Sequence, residues 1–132
     1  MNLKLKIKSS DLEHYNNMFT HALQLNFDYI DYADFNNVTS FLKKVADKMY
    51  GQNYDRKPTV TINVDLNEYK TLLNLIKLSK NFIEKSIYYC VVMVEFVQTC
   101  EKQISKIRHN QIIFFDTQIN KSIKSLPCHT QH

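Results

Sequence analysis

Val60-Thr61-Ile62-Asn63-Val64-Asp65-Leu66-Asn67-Glu68-Tyr69 carries the two signals on which the fold turns. Its first half alternates apolar and polar residues, the period of a half-buried strand. Val60, Ile62 and Val64 make the apolar face, and Thr59, Thr61 and Asn63 make the polar one. Its second half opens a helix. Asp65 is a preferred N-cap residue, and Glu68 three residues later completes a capping box.

The same grammar appears at the N-terminus. Leu3-Lys4-Leu5-Lys6-Ile7-Lys8 alternates strictly, with Leu3, Leu5 and Ile7 on one face and Lys4, Lys6 and Lys8 on the other. Asp11-Leu12-Glu13-His14-Tyr15 shares a D-L-x-x-Y start with Asp65-Leu66-Asn67-Glu68-Tyr69, and Ser10 with Glu13 predicts another capping box. The chain thus contains a short β-α echo, with halves of about 1–51 and 58–115, inside one domain spanning 1–132. A first helix is expected near 11–25, with Leu12, Tyr15, Phe19, Ala22 and Leu23 on its apolar stripe. A second is expected near 38–50, ended by Gly51 in the left-handed conformation.

From Leu66 to Arg108 there is no Gly or Pro. A heptad-type register over Tyr69, Leu73, Ile76, Lys80, Ile83, Ile87, Cys90, Val94 and Val97 favours helix. One unbroken helix of that span would be about 60 Å long. Such a length predicts either a coiled-coil oligomer or a break near Ser79–Asn81. Leu72, Leu75, Phe82, Val91, Val92 and Phe96 fall outside the register, so the segment is apolar around its circumference and needs cover on more than one side. Ile83, Ile87, Val91, Val94 and Val97 are therefore the candidates for self-association, with a homodimer as the expected state. Ile112-Ile113-Phe114-Phe115 reads as a third short strand, and 116–132 as a polar tail. The expected fold class is α+β and mostly helical. A small antiparallel sheet packs against two short helices and one long helix in which a break is allowed.

Composition narrows the functions. Gly51 is the only glycine, and Pro58 and Pro127 are the only prolines. Gly-rich phosphate loops, dinucleotide fingerprints and nucleophile elbows need glycine at sharp turns, so none can be built. Cys90, Cys100 and Cys128 are an odd number without framework spacing, which predicts a reducing, cytoplasmic setting. The net charge of +4 is mildly basic. Its cations are nearly all lysine, since Arg56 and Arg108 are the only arginines. Abundant Lys, Asn and Ile point to AT-rich codons, as in a low-GC bacterium, a phage or a virus. The longest apolar run, Ile87–Val94, is far short of the roughly 20 residues of a membrane span, so no membrane partner is expected.

Three constellations remain. Asp28, Asp31 and Asp34 recur every three residues, as do Tyr29, Tyr32 and Phe35. In a helical turn this places an acidic stripe beside an aromatic one, suited to a basic protein partner. Cys128, His129 and His132 are metal-type donors in the tail, but they lack the paired short spacings of a zinc site. No cofactor or metal is expected. Finally, a short alternating strand followed by two helices is the ribbon-helix-helix pattern, in which paired strands lay polar side chains into the DNA major groove. Lys4, Lys6, Lys8, Thr59, Thr61 and Asn63 have suitable chemistry. The segment Asn26–Asn37 is too long for the usual turn between those helices. The primary expectation is a non-enzymatic, self-associating protein-binding protein, such as a phage or mobile-element accessory protein that inhibits a host-defence enzyme. The alternative is a ribbon-helix-helix-like nucleic-acid-binding protein.

Overall fold

A computed structural model describes residues 2–51 and 57–124. The element order is β1 (Asn2–Lys8), α1 (Leu12–Leu25), α2 (Tyr32–Met49), β2 (Thr59–Asp65), α3 (Leu66–Leu78), α4 (Lys80–Glu84) and α5 (Ile87–Lys124). This is the expected mostly helical α+β class. Backbone contacts group the chain into two units, Met1–Cys100 and Glu101–His132. In the second unit, the described residues are the C-terminal part of α5.

The strands pair antiparallel in one two-stranded sheet, with Leu3 opposite Val64, Leu5 opposite Ile62 and Ile7 opposite Val60. All six of these side chains are buried. The alternation read from sequence is thus the true register. A one-residue slip would turn this apolar face into water.

Below the sheet, α1 packs on α2 and α2 on α3. The helices meet at an aromatic node. Phe19 of α1 lies edge-on to Phe41 of α2 at 5.3 Å and to Phe96 of α5 at 5.5 Å, and Phe41 and Phe96 are 6.0 Å apart. Tyr69 of α3 joins Phe96 at 5.5 Å. Edge-to-face pairing adds to area burial because the positive ring edge meets the negative face.

Several expectations are corrected. The predicted helix over 66–108 is three helices. The first break falls where expected, at Ser79, whose amide bonds back to Leu75 and Ile76. Buried Asn26 holds this junction, donating to Ser79 Oγ at 2.8 Å and to the Ala22 carbonyl at 2.9 Å. The second break is at Lys85–Ser86. There Ser86 caps α5, its Oγ accepting from Tyr89 N at 3.4 Å and its carbonyl from Cys90 N at 3.0 Å. With two breaks, the continuous heptad register does not exist. Over Ile87–Cys100 of α5 the buried residues are Val92, Phe96 and Cys100 at i, i+4 spacing, and Val94 faces solvent.

The predicted strand Ile112–Phe115 is part of α5, and so is 116–124 of the predicted tail. β-Branched and aromatic residues favour strand where a half-buried pleated surface is there to pack on, but Ile112 and Ile113 are exposed and simply continue the turns of α5. Helix α2 starts at Tyr32 rather than near residue 38, because Asp31 accepts from Asp34 N at 2.8 Å and caps it there. The first turn of α2 carries no apolar stripe, since its first buried residue is Val38, and periodicity alone misses it. The Ser10–Glu13 capping box is replaced by a 3-10 turn over Ser9–Asp11. The Asp65–Glu68 box forms as read. Glu68 is buried, and its carboxylate also receives Lys44 Nζ at 2.6 Å. Gly51 has no positive φ. A Cβ there would meet the Asp47 carbonyl at 3.0 Å.

Replacing Phe96 with Ala is expected to destabilise the fold by about 3–5 kcal/mol. Val94→Ala should change stability by less than about 1 kcal/mol in dilute solution. Urea denaturation followed by circular dichroism measures both. Equal losses would contradict the inward placement of Phe96.

Candidate functional site

The outer face of α5 is the first candidate. Ile87, Val91 and Val94 recur at i, i+4 and i+7, which sets them on one helical face. They are 75%, 54% and 46% exposed. With Cys90, Glu95, Gln98 and Thr99 they line an open groove of about 430 Å³. Of the self-association residues expected from sequence, these three are brought together. Ile83 is not: it is fully buried in α4, so it belongs to the core. Val97 is half-buried.

Two ring contacts made by α1 were not legible in the sequence. His14 of α1 stacks on Tyr88 at 4.6 Å with the rings 11° from parallel. His21 lies edge-on to Phe82 at 6.0 Å. Only the packing of α1 against α4 and α5 supplies these aromatic neighbours.

Among the described residues that line the groove, Glu95 is the one that carries a charge. Burial is the main cause that raises its pKa above the ordinary carboxylate value, and the Asp11 charge adds to it. The Tyr15 phenol and Lys8 act in the opposite direction. Tyr15 is fully buried, and its own pKa is raised by burial and then by the Glu95 charge, so the phenol stays protonated. Its Oη meets no acceptor at full hydrogen-bond geometry; the Glu95 carboxylate is close enough for a weak contact only.

The second candidate is the outer face of the ribbon. Lys4 stands opposite Asn63, Lys6 opposite Thr61 and Lys8 opposite Thr59. All six are exposed. The structure therefore joins on one surface the two sets of residues that the sequence held fifty positions apart.

The third candidate divides. Asp28 and Tyr29 lie in a 3-10 turn over Phe27–Tyr29, and Ile30 is extended. Tyr29 and Tyr32 are each about 80% exposed. Asp31 serves as the cap of α2, while Asp34 accepts from Thr71 Oγ1 at 3.1 Å, which in turn accepts from Asn37 Nδ2. Phe35 packs edge-on against Phe27 at 5.9 Å. The expected acidic and aromatic stripes are thus not continuous, because the helix begins only at Tyr32. Among the described residues, no three His, Cys, Asp or Glu side chains are placed to hold a metal ion. Cys128, His129 and His132 lie outside the described residues.

Comparison of the chain with protein-family models, curated proteins and solved structures finds no match. Among the described residues no helix is long and apolar enough to cross a membrane.

The raised Glu95 pKa has a definite pH consequence. The folded protein holds this proton more tightly than the unfolded chain, so the burden of the charge is absent below about pH 4.5 and present above the folded pKa. Glu95→Gln should therefore raise the melting temperature at pH 7 and leave it nearly unchanged near pH 4. Thermal melts at both pH values check this, and equal effects at the two would contradict it.

Proposed function

We propose that this chain is a non-enzymatic interaction protein that self-associates through the outer face of α5. One observation carries the proposal: α5 is apolar on two faces. Val92, Phe96 and Cys100 fill the core, while Ile87, Val91 and Val94 stay in water around the groove. An exposed apolar stripe rimmed by polar residues favours a protein contact.

A second copy of the chain is the occupant that fits. The stripe is self-complementary, because apolar side chains at i, i+4 and i+7 can interleave with the same set across a two-fold axis. Its single carboxyl, Glu95, is already biased toward the neutral form, which lowers the cost of taking it out of water. The stripe ends at Gln98 and Thr99, so the contact spans only a few turns, and a reversible dimer is the expected state.

The exposed Asp28, Tyr29, Asp31 and Tyr32 supply a separate acidic and aromatic surface for a basic foreign protein. The AT-rich codon usage implied by Lys, Asn and Ile suits a phage or mobile-element accessory protein. A host-defence enzyme is the partner class we assign to that surface.

Light scattering on the purified protein is expected to give a mass rising toward twice 15.7 kDa with concentration. Val91→Asp should hold it at the monomer mass with an unchanged circular dichroism spectrum, since Val91 is exposed in one copy. A monomer at every micromolar concentration, or an unaffected dimer in Val91→Asp, would refute association through this face.

A further inference from the structure

The ribbon face supports a function built from residues other than those that line the α5 groove. We infer that the outer face of β1 and β2 is a duplex-DNA contact surface that enters the major groove.

The argument starts from charge. Lys4, Lys6 and Lys8 alternate along β1, and their cross-strand partners Asn63, Thr61 and Thr59 are uncharged hydrogen-bonding residues. None of these six residues is acidic. The nearest carboxylate on the same face, Asp65 at the end of β2, is engaged in capping α3. Beside β2, Lys44, Asp47 and Lys48 of α2 border Thr61 and Asn63. The Lys44 ammonium is spent on Glu68 and on the Asn63 carbonyl, and Asp47 offsets part of the Lys48 charge. The Glu95 carboxylate lies within reach of the Lys8 charge and offsets part of it, and the lysines of β1 still leave this face with an excess of positive charge.

Shape agrees with charge. A strand of this length spans roughly 20 Å, and two paired strands lie about 5 Å apart. The DNA major groove is about 12 Å wide and admits a two-stranded ribbon. Lysine can pair with phosphates or with guanine O6 and N7, and Thr and Asn can reach base edges, Asn with adenine as its best partner. Alternation turns all six side chains the same way, so the face is built without any rearrangement. It is also built within one chain, whereas a ribbon-helix-helix protein makes its ribbon from two.

The lysines give this contact a measurable signature. Neutralising three phosphates predicts a slope of about −2.7 for log affinity against log salt. Fluorescence anisotropy with a short labelled DNA duplex, begun near 50 mM salt, reads that slope. Lys6→Gln is expected to weaken binding and to lower the slope by about one. Lys77→Gln, on α3 and away from the ribbon, should leave both unchanged. An RNA duplex of equal length should bind more weakly, because its major groove is too narrow and deep for side chains. Circular dichroism of each variant separates lost binding from lost fold. No binding at low salt, wild-type binding by Lys6→Gln, an equal loss in Lys77→Gln, or equal affinity for the RNA duplex would each overturn the inference.

Discussion

The meeting of Phe19, Phe41 and Phe96 is the contact on which the rest of the structure depends. Each ring comes from a different helix, and α5 lies far along the chain from the consecutive helices α1 and α2. A two-stranded sheet is marginal by itself, so β1 and β2 need a covered apolar face to persist. The helices gathered by this node provide it, and all six inward residues of the ribbon are buried in consequence. The node also sets the rotation of α5. With Phe96 inward, Val92 and Cys100 follow inward at i±4, and Val94 must face solvent.

Polar residues then decide where the helices stop. Asn26 and Ser79 form a buried hydrogen-bonded pair that ties the end of α1 to the break between α3 and α4. A buried amide without that partner would cost roughly 1–3 kcal/mol, so the pair fixes the junction as well as filling it. Glu68 works in the same way at the other end of α3. It caps the helix, and it draws Lys44 of α2 across to the ribbon edge. Capping and tertiary contact are served by one carboxylate, which is why strand and helix can join at Asp65 without a loop.

Two exposed surfaces lie outward of these contacts, and they differ in chemistry. The α5 groove is apolar with one carboxyl of raised pKa, a composition suited to burial against another apolar face. The ribbon face is cationic and hydrogen-bonding, suited to a hydrated, anionic partner. Neither draws on residues that the core requires. Exposed residues on each face, Glu95 excepted, can therefore be substituted with little effect on folding.

The sequence by itself determined what depends on short-range periodicity and capping. The two strands, their inward and outward faces, the Asp65–Glu68 box and the break at Ser79 were all legible, because each is written within a few consecutive residues. The six residues of the ribbon face could also be named, though not that they share a surface. Tertiary structure decided the rest. Ile83 and Val94 look alike in a heptad register, yet one is buried and the other exposed, since the break at Lys85–Ser86 resets the helical phase between them. Ile112–Phe115 has strand-like residues but is helical, because it continues α5. Periodicity placed Tyr15 inward, but its proximity to Glu95 and the stacking of His14 on Tyr88 gave no local signal. Their environments exist only where α1 and α5 cross, and no single window of the chain contains that crossing.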